Sequence, residues 1–173
     1  GAWTVSFASN EIPADGASST ITASVSDAAG NAGSATKTVA IDTAVPTVTI
    51  STVATDDKIN ASEKSAGVTI TGTTTAENGQ LVSMVWGSTT KTATVASGAW
   101  TVSFASADIP ADGASSTISA SVSDAAGNTG SATKSVAIDT AVPSVTISTV
   151  ATDDKINASE KSAGVTISGT TTA

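Results

Sequence analysis

The segment GAWTVSFAS occupies Gly1–Ser9 and recurs unchanged at Gly98–Ser106 of a 173-residue chain. In the second copy Trp100, Val102 and Phe104 alternate with Thr101 and Ser103. Successive side chains of an extended chain point to opposite sides, so this period of two predicts a strand with one buried face. The recurrence also sets a period of 97 residues. Aligned on it, residues 1–76 match 98–173 at roughly nine positions in ten. Four of the differences are Thr/Ser exchanges that keep strand chemistry intact: Thr22/Ser119, Thr38/Ser135, Thr47/Ser144 and Thr71/Ser168. A unit near 100 residues is too long for one turn of a solenoid and has the size of a small domain.

Outward from that strand, further Thr-, Ser- and Val-rich runs stand between turn signals at Thr47–Ser51, Val68–Thr73, Leu81–Trp86, Lys91–Val95, Trp100–Ala105, Ser116–Val122 and Ala132–Ile138. No run carries a helical period beyond about two turns. Seven short strands at roughly 8–12-residue spacing predict an all-β, antiparallel sandwich. The segment IDTAVP at Ile41–Pro46, copied at Ile138–Pro143, places a proline where a chain would pass from one unit to the next. The expected division is therefore a C-terminal half-repeat at 1–42, a complete repeat at 43–139 and an N-terminal half-repeat at 140–173.

Composition narrows the chemistry. Acids outnumber bases 15 to 7, the formal charge is −8, and every base is Lys. A nucleic-acid binder needs a basic footprint, and this chain would repel phosphate. No apolar run approaches the ~20 residues of a membrane span, so no membrane insertion is expected of this segment. There is no Cys and no His, which removes disulfides, thiolate chemistry, the commonest general base and the commonest transition-metal ligand. Carboxylates, hydroxyls and Lys remain. That inventory suits hard cations such as calcium better than catalysis, and no enzymatic activity is expected.

SVSDAAGN, followed by KxVAIDTxxPxVTI and then by DDKINASE ahead of VTIxGT, runs through the whole chain. Together these motifs resemble the bacterial immunoglobulin-like extender repeats of very large adhesins of the repeats-in-toxin type, exported by type I secretion. The resemblance implies an immunoglobulin-like sandwich, calcium near domain junctions, an extracellular place on the bacterial cell surface, and a part in biofilm formation or in attachment to surfaces or ice. The chain departs from antibody domains in lacking both the disulfide and any Tyr for a tyrosine corner.

In a sandwich whose strands run alternately down and up, the loops sort between two poles. Asp42, Glu77 and Asp124 fall at one pole, and Asp56, Asp57, Glu63, Asp108, Asp112 and Asp139 at the other. Carboxylates would then gather where successive domains meet. Like charges about 5 Å apart repel by about 3 kcal/mol at an effective dielectric near 20; a calcium ion with six to eight oxygen ligands would convert that repulsion into a cross-link. The candidate ligands are Asp42, Asp56, Asp57, Glu63, Asp124 and Asp139, with the copies Asp27, Asp153, Asp154 and Glu160.

Each motif also has a plain structural reading. DAAGN (Asp124–Asn128) is good turn sequence. Asn60-x-x-Glu63 is a capping box opening a helix of one or two turns, compatible with Asp56 and Asp57 holding an ion. IPADG (Ile109–Gly113) reads as a Pro/Asp-Gly turn in which Asp112→Asn should do little. Trp86 and Trp100 read as core. The expected function is a spacer that projects a distal adhesive domain from the cell, its junctions stiffened by calcium. The alternative is an adhesive domain that itself binds a glycan, a receptor or ice. A glycoside hydrolase acting through paired carboxylates is disfavoured, since the acids gather at junctions and not in an aromatic-lined groove. The expected partners are neighbouring identical repeats. The two half-repeats should also pair head to tail between molecules, bringing Asp153, Asp154 and Glu160 beside Asp42 and Asp124 of a neighbour.

Overall fold

The computed structural model describes residues 1–16 and 18–172. In chain order the elements are β1 (Ser18–Ser26), β2 (Ala32–Ala40), β3 (Lys58–Ile59), α1 (Ala61–Ala66), β4 (Val68–Thr73), β5 (Leu81–Trp86), β6 (Thr89–Thr94), β7 (Ala99–Phe104), β8 (Gly113–Ser123), β9 (Thr129–Ile138), β10 (Ser144–Ile147), α2 (Ala158–Ala163) and β11 (Gly169–Thr172). The strands β4, β5 and β7 alternate buried and outward positions along their length. That alternation lets a Thr-rich chain present one dry face per sheet.

Two sheets enclose one core. The larger has the order β3-β9-β8-β5-β6, and β4 pairs with β7 in the smaller. All of these pairings are antiparallel except β3 with β9. Trp86 and Phe104 meet edge to face across the two sheets, with centroids 5.3 Å apart at 80°, the geometry the ring quadrupoles favour. Around them lie Ile59, Ile70, Val82, Met84, Ile118, Val122, Val136 and Ile138, all buried. Fully burying a side chain of this size contributes about 1.5–3 kcal/mol. The sandwich and the core place of both tryptophans agree with the sequence.

Two features differ from the expected strand list. Thr47–Ser51 bonds along β4 through Thr49 N to Thr73 O at 2.8 Å and Ser51 N to Thr71 O at 2.9 Å, yet only Val48 forms a bridge, with Thr74. This run crosses β4 so closely that a Cβ on Gly72 would lie 1.9 Å from the Thr49 carbonyl oxygen. The chain then changes sheets. Ala54, Thr55 and Asp57 take φ of 48°, 71° and 61°, turning Lys58–Ile59 onto the parallel edge of β9. No two-residue strand of this kind is visible in an apolar pattern.

The flanking segments pair within themselves. β1 and β2 form a nine-rung hairpin, Ser18↔Ala40 to Ser26↔Ala32; β10 and β11 pair over four rungs. Most of their large apolar residues are exposed, Trp3, Phe7, Val25 and Ile167 among them, where the copies Trp100, Phe104, Val122 and Ile70 are buried.

Candidate functional site

Every Asp and Glu lies outside the strands. Extended backbone at the sheet centres spends its polar groups on the ladder, whereas the loops leave N–H groups that carboxylates can satisfy. The acids fall into three settings.

The first is the end of the sandwich where the chain enters it. Asp124, buried, accepts from Asn128 N at 2.8 Å and Asn128 Nδ2 at 2.9 Å. The Asn128 amide holds the Asp124 carboxyl below the usual carboxylate range, with the loop N–H groups adding to the effect. The same Asn128 Nδ2 donates to the Asp42 carbonyl oxygen at 3.1 Å. Glu77 Oε2 accepts from Ala125 N at 3.1 Å. Asp42, Glu77 and Asp124 thus share one end, as the strand alternation requires. The copy Asp27 repeats the turn with Asn31, whose side chain at 2.8 Å likewise lowers the Asp27 carboxyl.

The second setting is the DDKINASE segment. Asn60 caps α1, accepting from Ser62 N at 2.9 Å and Glu63 N at 3.0 Å, while Glu63 Oε2 accepts from Asn60 N at 3.0 Å. This is the reciprocal capping box read from the sequence, and Asn157 with Glu160 repeats it. Asp56 and Asp153 accept from Lys58 N and Lys155 N, each at 3.0 Å. Asp57 corrects the polar sorting of the acids. It lies against the side of β9, where Oδ2 is 2.9 Å from Lys134 Nζ and Oδ1 accepts from Val53 N at 2.8 Å. The Val53 amide first, and Lys134 second, lower its carboxyl. Both of its oxygens are taken. Asp154 keeps the equivalent bond, from Val150 N at 2.8 Å.

The third setting is the end where the chain leaves the sandwich. Asp112 is not the plain turn residue its IPADG context suggests. Its carboxylate accepts Thr140 N at 3.0 Å and the Thr140 hydroxyl at 2.7 Å. These bonds, hydroxyl first, hold the carboxyl below its usual range. Lys64 stands 3.7 Å from Asp112 and donates to Pro110 O at 2.9 Å. Asp139 Oδ1 accepts from Ala141 N at 3.0 Å, as Asp42 Oδ1 does from Ala44 N at 3.0 Å. Asp108 meets Lys91 at 2.6 Å and caps Ala105 N at 3.0 Å, and Lys91 is the first cause of its lowered carboxyl. None of Lys64, Lys91 and Lys134 was expected to meet an acid; of the three only Lys134 falls in a motif, as the Lys of KxVAIDT. The Asp15–Thr43 and Asp112–Thr140 pairs both span 28 residues because one is the copy of the other, so the spacing alone does not single them out.

The donors are all oxygens, which suits calcium or magnesium. Among the described residues, however, no three acidic side chains converge into a group that could hold a metal ion. The acids stand singly or in pairs, each capping backbone or meeting Lys. No helix among the described residues is long and apolar enough to cross a membrane.

No family model and no curated protein matches the chain. Solved structures do. A 1.5-MDa bacterial ice-binding adhesin, known for its retention at the host cell surface, is 32% identical with a TM-score of 0.54, over 89% of this chain and 52% of that one. A Ca2+-stabilized adhesin that helps an Antarctic bacterium reach out and bind ice is 38% identical with a TM-score of 0.47, over 89% of this chain and 40% of that one. A bacterial immunoglobulin-like domain from the M. primoryensis ice-binding adhesin is 36% identical with a TM-score of 0.46, over 55% of this chain and 98% of that one. The chain therefore spans about half of the first structure it matches. By its sandwich, its internal repeat and its 32% identity to a large ice-binding adhesin over 89% of its own length, the chain is similar to the bacterial immunoglobulin-like repeats of large adhesins.

Proposed function

We propose that the chain is a non-catalytic spacer outside the cell, which sets the reach of an adhesin by repetition and holds a distal adhesive domain away from the surface. The observation that carries this reading is the repeat itself: 76 residues recur nearly unchanged at a period of 97, with an identical six-residue linker in each copy. A binding tip needs a divergent surface, whereas a spacer gains from uniform units. In this reading residues 43–139 form one repeat, and 1–42 and 140–173 belong to its neighbours.

Calcium at the junctions is part of the proposal. The residues best placed to hold it are Asp42 and Asp124, brought to one end through Asn128, with Asp139 and Asp27 as their copies. Asp57 is neutralised by Lys134 and Glu63 closes the helix cap, whereas the Asp124 carboxylate meets only uncharged donors and keeps its charge for a cation. A docked second repeat would supply further oxygens. The melting temperature of the 173-residue chain should rise with millimolar calcium and much less with magnesium, which gives up its waters reluctantly. An equal response to both ions, or none, would remove calcium from the reading.

Head-to-tail pairing follows from the two flanks. Trp3, Phe7 and Ile167 are 71%, 59% and 66% exposed, while their copies Trp100, Phe104 and Ile70 are 2%, 1% and 1% exposed. The β4–β7 register sets Val68 opposite Phe104 and Ile70 opposite Val102. Transposed by one period, it sets Val165 and Ile167 of one copy opposite Phe7 and Val5 of another. Lys37 and Asp154 would then repeat the Lys134–Asp57 pair. Such a contact is heterologous and does not close. Sedimentation should show association that grows with concentration and weakens in a Trp3→Ser, Phe7→Ser variant; a monomer at every concentration would refute the pairing.

A further inference from the structure

The linker Ile41–Pro46 carries only small or short side chains apart from its three β-branched residues, Ile41, Thr43 and Val45, and left to solvent it would be a swivel between repeats. It is gripped instead. On the preceding side, Gly16 N donates to Ile41 O at 2.9 Å, and the Asp15 carboxylate accepts both the Thr43 amide and, at 3.1 Å, the Thr43 hydroxyl. On the following side, Asn128 Nδ2 donates to Asp42 O at 3.1 Å. Pro46 is buried there, its carbonyl oxygen so close that a Cβ on Gly130 would stand 1.8 Å from it. Beyond Pro46, Thr47 N donates to Thr75 Oγ1 at 2.9 Å.

The preceding-side grip recurs at the second linker, where Asp112 takes the amide and hydroxyl of Thr140. The following-side residues offer an internal control. Gly33, the copy of Gly130, has nothing within 4 Å of a built Cβ. Among the described residues the side chain of Asn31, the copy of Asn128, reaches Asp27 alone. An Asn and a Gly at these positions have a second partner only where a linker lies against them.

We infer that each linker is a two-sided clamp, held by an Asp of the preceding repeat and by an Asn and a Gly of the following one, and that it fixes the angle between repeats with no metal bound. This rests on the spacer reading and deepens it: Asp112, Asn128 and Gly130 are the positioning residues of the junction, and calcium would add to an arrangement already set. A purely structural role within one sandwich would not order the linker.

The test is amide hydrogen exchange and 15N relaxation on the 173-residue chain in excess chelator. The Thr140 amide should exchange at least about tenfold more slowly than in a free chain, and Asp42–Val45 should show heteronuclear NOEs near those of the strands. Asp112→Ala should return Thr140 to the free-chain rate while the Ile118 and Ala120 amides of β8 stay protected, which shows the sandwich intact. Asp112→Asn, keeping one acceptor oxygen, should fall between. Gly130→Ala should lower the heteronuclear NOEs of Asp42–Val45. Free-chain exchange at Thr140 in chelator, or protection surviving in Asp112→Ala, would overturn the clamp. Protection that appears only with calcium would also overturn it while leaving the calcium reading standing. A calcium-insensitive melting temperature with a protected Thr140 would do the reverse.

Discussion

At the scale of single residues, the two core tryptophans look alike in sequence and differ in the fold. Trp86 donates Nε1–H to Ser116 Oγ at 2.9 Å. Trp100 Nε1 is buried with no hydrogen-bond partner among the described residues. Its ring lies over Gly72, where a Cβ would be 2.3 Å from Cζ2. A buried donor without an acceptor costs about 1–3 kcal/mol, whereas breaking a made bond also strands the other partner. Replacing each by Phe removes similar volume. Trp86→Phe should therefore destabilise the chain by about 1–3 kcal/mol more than Trp100→Phe in urea denaturation. Equal losses, or a larger loss for Trp100→Phe, would mean that packing and not hydrogen bonding separates the two sites.

At the scale of elements, how much could be read from sequence follows from how each element satisfies its backbone. The expected Val68–Thr73 and Leu81–Trp86 coincide with β4 and β5, because alternation and a turn at each end specify a strand without tertiary help. The other central strands shift by only a few residues, mostly because β8 and β9 extend past their apolar positions into Ser and Thr that still pair. β3 was illegible: two residues have no period, and their pairing with β9 exists only because three left-handed residues turn the chain across. α1 was legible through its cap alone, since its sequence ASEKSA buries nothing. At the candidate site, the turn formed by Asp124 and Asn128 was visible as turn chemistry. The partners of Asp57, Asp108 and Asp112 were not, because Lys91, Lys134 and Thr140 reach them across strands or along a linker. Residue types gave the presence of carboxylates at the loops; only the pairing of strands and linker decides what each carboxylate touches.

At the scale of the whole molecule, stability is tied to pH through the same carboxylates. Asp57, Asp108, Asp112 and Asp124 each have a carboxyl lowered by a defined donor: the Val53 amide with Lys134, Lys91 with the Ala105 amide, the Thr140 hydroxyl and amide, and the Asn128 side chain. A carboxyl lowered in the fold binds its proton more weakly there than in the unfolded chain, whose Asp groups titrate at about 4. Stability from these contacts is therefore complete above that value and is lost as pH falls through the lower, folded values. A net charge of −8 opposes part of this, since protonation first relieves repulsion among exposed acids. That relief ends near the isoelectric point of about 4.1, below which the seven Lys repel one another while the lowered carboxyls lose their partners. With no His in the chain, no side chain has an ordinary pKa between roughly 5 and 8. The melting temperature should accordingly change little from pH 8 to pH 5 and fall steeply between pH 4 and pH 2. The fall should be shallower in a combined Asp108→Asn, Asp124→Asn variant, whose fold no longer has those two lowered carboxyls to protonate. A melting temperature that holds steady down to pH 2, or one that drops already between pH 7 and pH 5, would show that these four carboxylates do not govern the acid stability of the fold.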